Sequence, residues 1–167
     1  MNNIDTIMYL IDWSRSSAEQ QEGIRMARDV KCLKAFFQPS GPGYCKSVWD
    51  NCAKIVCERS DEELVPYTSD MLAWLEDLNW PGTMCVVQRL KQFNDVSILA
   101  FSIEEMLPAL VALKEIPWLM CIAELLDNQK LKKQLKDSTV QFLTEVPNIA
   151  EDDLASRYHN LNIKNAL

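Results

Sequence analysis

The chain has 167 residues, 48% of them apolar, which is enough for one continuous core without division into separate domains. Its 17 Lys and Arg against 24 Asp and Glu leave a formal charge of −7, a balance that repels a phosphate backbone and disfavours nucleic acid as a partner. No run approaches the roughly 18 apolar residues needed to span a bilayer, and the start Met1-Asn2-Asn3-Ile4-Asp5 has no basic leader, so a cytoplasmic chain with six reduced cysteines and no membrane partner is expected.

Helical spacing begins at Ile7, Leu10 and Ile11. Trp13 and Arg15 follow in a polar stretch. Ser17 with Gln20 has the form of a capping box for a second helix through Ile24 and Ala27, with Gly23 able to bend the chain. The run Pro39-Ser40-Gly41-Pro42-Gly43 breaks the pattern, and Val48, Cys52 and Ile55 resume it. Within that third helix Trp49 precedes Asp50 and Asn51. Trp13 and Trp49 each pair a large ring with polar neighbours, the combination suited to a binding surface, although core packing is the default for both. Cys45, Cys52 and Cys57 form the densest thiol group, but no Cys-x-x-Cys is present. Cys52 and Cys57 lie about 140° apart around a helix axis, so a metal or redox centre on these three is a marginal reading.

Ser60 with Glu63 repeats the capping pattern, and Asp61-Glu62-Glu63 suits the positive end of the helix it opens. Met71, Trp74, Leu75 and Leu78 make an apolar stripe that predicts a buried Trp74. Glu76 and Asp77 then sit at a helix C-terminus, where negative charge is unfavourable unless something offsets it. The favoured offset is a carboxylate of Asp77 bound to amides of the turn Leu78-Asn79-Trp80. The alternative is an outward recognition patch of Glu76, Asp77, Asn79 and Trp80. Pro81-Gly82 starts the next helix, with Val86, Val87 and Leu90 inward, and Phe93-Asn94-Asp95 ends it.

Ser102 with Glu105 is the third capping pattern, with Pro108 six residues on, as Pro66 is from Ser60; each proline is expected to open a second helix. Ile103, Met106, Leu107 and Leu110 share a face. Ile116-Pro117 breaks the chain again before Trp118, Ile122 and Leu125, and Trp80 and Trp118 beside prolines are placed to staple one helix to another. Lys130, Lys132, Lys133 and Lys136 surround Leu131 and Leu135 in the manner of a solvated helix face. Ser138 with Gln141 is the fourth capping pattern, and Val146-Pro147-Asn148 the last break. In residues 148–167, Ile149, Leu154 and Tyr158 are expected to dock as a capping helix whose end frays beyond His159. His159 is the single histidine and lies near the C-terminus, which removes most hydrolytic schemes and any histidine-rich metal site, and no glycine-rich loop cradles a nucleotide. No cofactor or catalytic residue is implied.

The four serine patterns stand 43, 42 and 36 residues apart, and Cys85-Val86-Val87-Gln88-Arg89-Leu90 matches Cys121-Ile122-Ala123-Glu124-Leu125-Leu126 in size and polarity. Helix pairs recurring near forty residues predict an all-α fold: a short α-α superhelix of the HEAT or armadillo kind, about four pairs within residues 1–147, closed by the segment 148–167.

Asp61-Glu62-Glu63-Leu64-Val65-Pro66-Tyr67 followed by Met71-Leu72-Ala73-Trp74-Leu75-Glu76-Asp77-Leu78-Asn79-Trp80-Pro81-Gly82 resembles the signature of a bacterial family of unknown function, Leu-Leu-x-Trp-Leu-x-Asp-x-Asn-Trp-Pro, with Met71 in place of the first leucine. The resemblance is specific from Asp61 to Leu90, weaker at Trp49 to Ala53, and ends by Leu126. It implies HEAT-like repeats and a protein-binding adaptor, some such bacterial proteins being immunity partners of toxins. The expected function is therefore non-enzymatic binding of another, basic protein through Trp13, Arg15, Trp49, Asn51, Glu76, Asp77, Asn79 and Trp80, with a monomer favoured. The alternative is a HEAT-like DNA glycosylase-type enzyme, against which the charge argues.

Overall fold

The chain is described by a computed structural model covering residues 4–41 and 43–164. Expectations for Met1 to Asn3, Pro42 and residues 165–167 lie outside the described residues. Those described are helical or looped, with no strand among them. The α-helices are α1 (Ile4–Leu10), α2 (Ser17–Ala27), α3 (Trp49–Cys57), α4 (Asp61–Leu64), α5 (Thr68–Ala73), α6 (Thr83–Lys91), α7 (Ser97–Ala112), α8 (Ile116–Ala123), α9 (Gln129–Gln134), α10 (Asp137–Glu145) and α11 (Leu154–Lys164), joined by short 3-10 turns.

One of the four expected capping boxes forms at the residues expected, and another forms one residue away. Ser60 accepts from the Glu63 amide while the Glu63 carboxylate accepts from the Ser60 amide, and the first box is shifted by one residue to Ser16 and Glu19. The other two serines are inside helices. α7 begins at Ser97, its first amide held by Asp95, because the apolar run through Ile103 continues one helical face without interruption. Ser102 instead shares a hydrogen bond with Thr68 (3.1 Å). Pro108 does not open a helix but lies within α7, its ring exposed on the solvent side four residues before the helix ends, where a missing amide and a displaced carbonyl can be met by water. Ser138 is the second residue of α10 and bonds Asn162 of α11 (3.1 Å).

One core runs from Ile7 to Leu161. Elements pack chiefly on neighbours in sequence or one or two helices removed: α1 on α2, α2 on α3, α3 on α6, α5 on α7, α7 on α8, α8 on α10, and α10 on α11. Polar contacts between them return at similar separations. Arg59 donates to the Ala27 carbonyl (2.6 Å), 32 residues back; Arg89 to the Arg59 carbonyl (2.9 Å), 30 back; Asn128 to the Phe93 carbonyl (2.9 Å), 35 back. On the other side, the Tyr67 hydroxyl accepts from the Leu33 amide and Lys136 is bound through its amide to Glu104. Gly23 is needed where α1 meets α2, since a β-carbon there would lie 2.6 Å from Ile11 Cγ2.

Residues 154–164 form the expected terminal helix, with Leu154 buried and Tyr158 edge-on to Phe142 at 5.0 Å. The helix continues past His159 to Lys164. Leu161 is buried, and Asn162 joins the Tyr158 carbonyl to Ser138.

Candidate functional site: an acid-rimmed groove at the 74–83 corner

α5 tightens into a 3-10 turn at Trp74–Glu76, and Asp77 is extended, so the helix has ended before the second carboxylate. That carboxylate accepts from the Asn79 amide (2.8 Å) and the Asn79 side chain (3.1 Å), the turn-stiffening role expected for it. The Trp80 amide returns to the Asp77 carbonyl (3.1 Å), and Thr83 Oγ1 donates to the same carbonyl (3.0 Å). Trp74 is fully buried as expected, its indole N–H on the Pro81 carbonyl (3.1 Å). Gly82 has φ +85°, and a β-carbon at that position would collide with Ala53; glycine therefore lets the turn both reverse and seat against α3.

Trp49 is the centre of the aromatic packing, edge-on to Trp74 (6.2 Å) and to Trp80 (5.5 Å), with its indole N–H on the Tyr44 carbonyl. It is 8% exposed. Asn51 is also internal, donating to the Ile11 carbonyl (2.7 Å) and to Gln20 Oε1 (2.8 Å). Both residues, expected on a binding surface, are thus corrected to interior ones: their polar neighbours satisfy buried backbone groups rather than a partner. Trp118 joins the corner from α8, donating to the Leu72 carbonyl (2.9 Å).

Trp13 and Arg15 belong to a separate surface. Trp13 is 59% exposed, and Arg15 lies over the Tyr9 ring at 3.6 Å. Beneath them Asp12 accepts from Ser14, through both its amide and its hydroxyl, and from the Ser47 hydroxyl. These bonds, Ser14 first, hold its carboxyl down to about 2 against the opposing effect of burial.

The remaining expected residues do come together. Glu76, Asp77, Asn79 and Trp80 line one side of a cavity of about 530 Å³ whose other wall is Glu115, Pro117 and Met120 at the start of α8. A second cavity, about 450 Å³, continues past the shared residues Leu78 and Met120 towards Leu126, Leu143 and Pro147, with Glu124, Asp127 and Lys132 on its edge. Leu78 and Met120 are 49% and 43% exposed, and both line each of the two cavities. The charged residues of the groove are carboxylates apart from Lys132. Glu124 and Asp127 share Lys91 (3.0 and 2.8 Å), whereas no partner is recorded for the Glu76 and Glu115 carboxylates among the described residues. The groove's α8 wall escaped sequence reading, because Met120 meets Leu78 only through packing between segments some forty residues apart; the one local sign was Pro117 directly after Glu115 and Ile116.

The four lysines around α9 are exposed as a solvated face, and no group of histidine, cysteine or carboxylate side chains with metal-binding geometry occurs among the described residues. No described helix is long and apolar enough to cross a membrane. The family described as "Domain of unknown function (DUF5071)" matches residues 48–159, which extends the region of likeness well past Leu126 and takes in the whole groove. No curated protein and no solved structure matches the chain.

Proposed function

The chain belongs to the DUF5071 family, and from that premise we propose that it is a non-enzymatic protein-binding module whose corner groove takes a basic segment carrying an apolar anchor from another protein. The observation that carries this reading is the juxtaposition of exposed Leu78 and Met120 with a border of Glu76, Asp77, Glu115, Glu124 and Asp127. An apolar side chain on the floor would exclude water, and a Lys or Arg beside it would meet the unpaired carboxylates. The net charge of −7 favours the same partner at long range. An adaptor, or an immunity-type partner of a basic protein in bacteria, is the role such a site would serve.

The scaffold is read as a short HEAT-like superhelix. The rungs from Arg59, Arg89 and Asn128 to backbone carbonyls about thirty residues earlier support that reading, since stacked helix pairs are joined in this way. The nucleic-acid reading has less support. Much of the positive charge is already committed, Arg89 to Asp61, Lys91 to Glu124 and Asp127, Lys34 to Asp70, and Lys114 to Asp152.

Capture from native lysate on the immobilised chain, at low and high salt, tests the proposal against the double variant Leu78→Lys, Met120→Lys. A basic protein held in stoichiometric amount, released by salt and lost by the variant is the expected result. Retention of the same protein by the variant, or no partner at low salt, overturns it.

A further inference from the structure

The stacking of α6 on α3 brings together two thiols that the sequence holds 28 residues apart. The helices run in the same direction. Gly82, just before α6, fits against Ala53 and the Trp49 carbonyl, and Arg89, late in α6, reaches the Arg59 carbonyl just beyond α3. Cys85 and Cys57 fall between those two contacts: Cys85 lies three residues after Gly82 and four before Arg89 on one face of α6, and Cys57 lies four residues after Ala53 on one face of α3, so the two thiols oppose each other where the helices stack. Both are half-buried, open enough for a small reagent to reach. Cys32 and Cys45 are more exposed but meet hydroxyls, of Tyr67 and Ser47, rather than another sulfur; Cys52 is buried beside the Met8 thioether.

The two thiols are chemically unequal. Cys85 stands in the first turn of α6, whose free amides favour negative charge, while Cys57 is the last residue of α3, where carbonyls disfavour it. The neighbouring Cys57 thiol brings Cys85 down to about 7 despite burial, with Lys54 assisting, and the neighbouring Cys85 together with burial pushes Cys57 upward. Cys85 is therefore the nucleophile and Cys57 the resolving thiol.

We infer that Cys57 and Cys85 form a redox-modification site, a dithiol that a hydroperoxide closes into a disulfide between α3 and α6. In the first step the Cys85 thiolate attacks the peroxide; the O–O bond breaks, the departing oxygen leaves as an alcohol or water after taking a proton, and Cys85 becomes a sulfenic acid. In the second step Cys57 gives up its proton and attacks the Cys85 sulfur; the S–O bond breaks and water leaves. The balance is two thiols and one hydroperoxide to one disulfide, one alcohol and one water. A dithiol reductant reverses it by exchange.

The test treats the full chain with hydrogen peroxide, alkylates the remaining thiols and maps the peptides. A Cys57–Cys85 linkage is expected as the dominant product, with four of the six cysteines still alkylated, reversal by dithiothreitol and a higher thermal midpoint in the oxidised form. In Cys57→Ser a sulfenic acid should accumulate on Cys85 and be trapped by dimedone. Full alkylation of both residues after peroxide treatment, or oxidation confined to Cys32 and Cys45 in the natural chain, would overturn the assignment without recourse to any variant.

Discussion

At the 74–83 corner, Trp74, Trp49 and Trp80 meet edge to face, and each turn of backbone around them is tied by a named bond: Asp77 to Asn79, Thr83 to Asp77, Trp74 to Pro81. At the N-terminal surface, Trp13 and Tyr9 are both more than half exposed, and the Arg15 guanidinium lies over the ring of Tyr9. Similar aromatic and charged residues thus have opposite fates. A tryptophan beside polar residues is not thereby a surface group; what decides is whether the polar neighbours complete buried backbone hydrogen bonding, as Asn51 does, or bind groups of the adjoining loops, as Asp12 does with Ser14 and Ser47. The corner lies inside the family region 48–159 and the Trp13 surface outside it, so the two also differ in what the family shares.

Substitutions would separate the two regions by magnitude. Trp74→Ala should be the most severe, about 3–5 kcal/mol in denaturant titration, because it empties a fully buried site. Gly82→Ala comes next, at about 1–3 kcal/mol, since the positive φ and the contact with Ala53 are both violated. Asp77→Ala should cost about 1 kcal/mol through loss of its bonds to Asn79; a negligible change would mean that Thr83 and Gly82 hold the turn without it. At the N-terminal surface Trp13→Ala should stay within about 0.5 kcal/mol of the natural chain, and a larger loss would erase the contrast.

Acid sharpens the comparison at its weaker side. The Asp12 carboxyl is depressed in the folded chain, so its contribution is complete above the usual value of 3.8 and disappears as pH falls towards about 2. Asp12→Asn should lower the thermal midpoint near neutrality, and the gap from the natural chain should close as pH is lowered through that window. A gap that stays constant with pH would assign the effect to packing instead of to the carboxylate.

Local chemistry made part of this molecule legible in advance. The stripe ending at Trp74, the Asp77 turn, the glycine at position 82 and the breaks at Asn94 and Pro117 are short-range features, set by residues within a few positions of each other. The serine patterns at Ser102 and Ser138 misled because a capping box is loose, and a longer apolar face can carry a helix through it; α7 is the case in point. The groove was half visible. Its 76–80 side is local, but Met120 and Glu115 enter only when α8 packs against the corner, and Cys57 and Cys85 meet only through the parallel stacking of α3 and α6.

The rungs made by Arg59, Arg89 and Asn128 have a consequence for how the molecule is made. Each closes on a stretch of chain synthesised about thirty residues earlier, so each of these bonds finds its acceptor already outside the ribosome tunnel. Loop closure over such short spans costs little entropy and is fast. The earlier helices can settle while the later ones are still being translated.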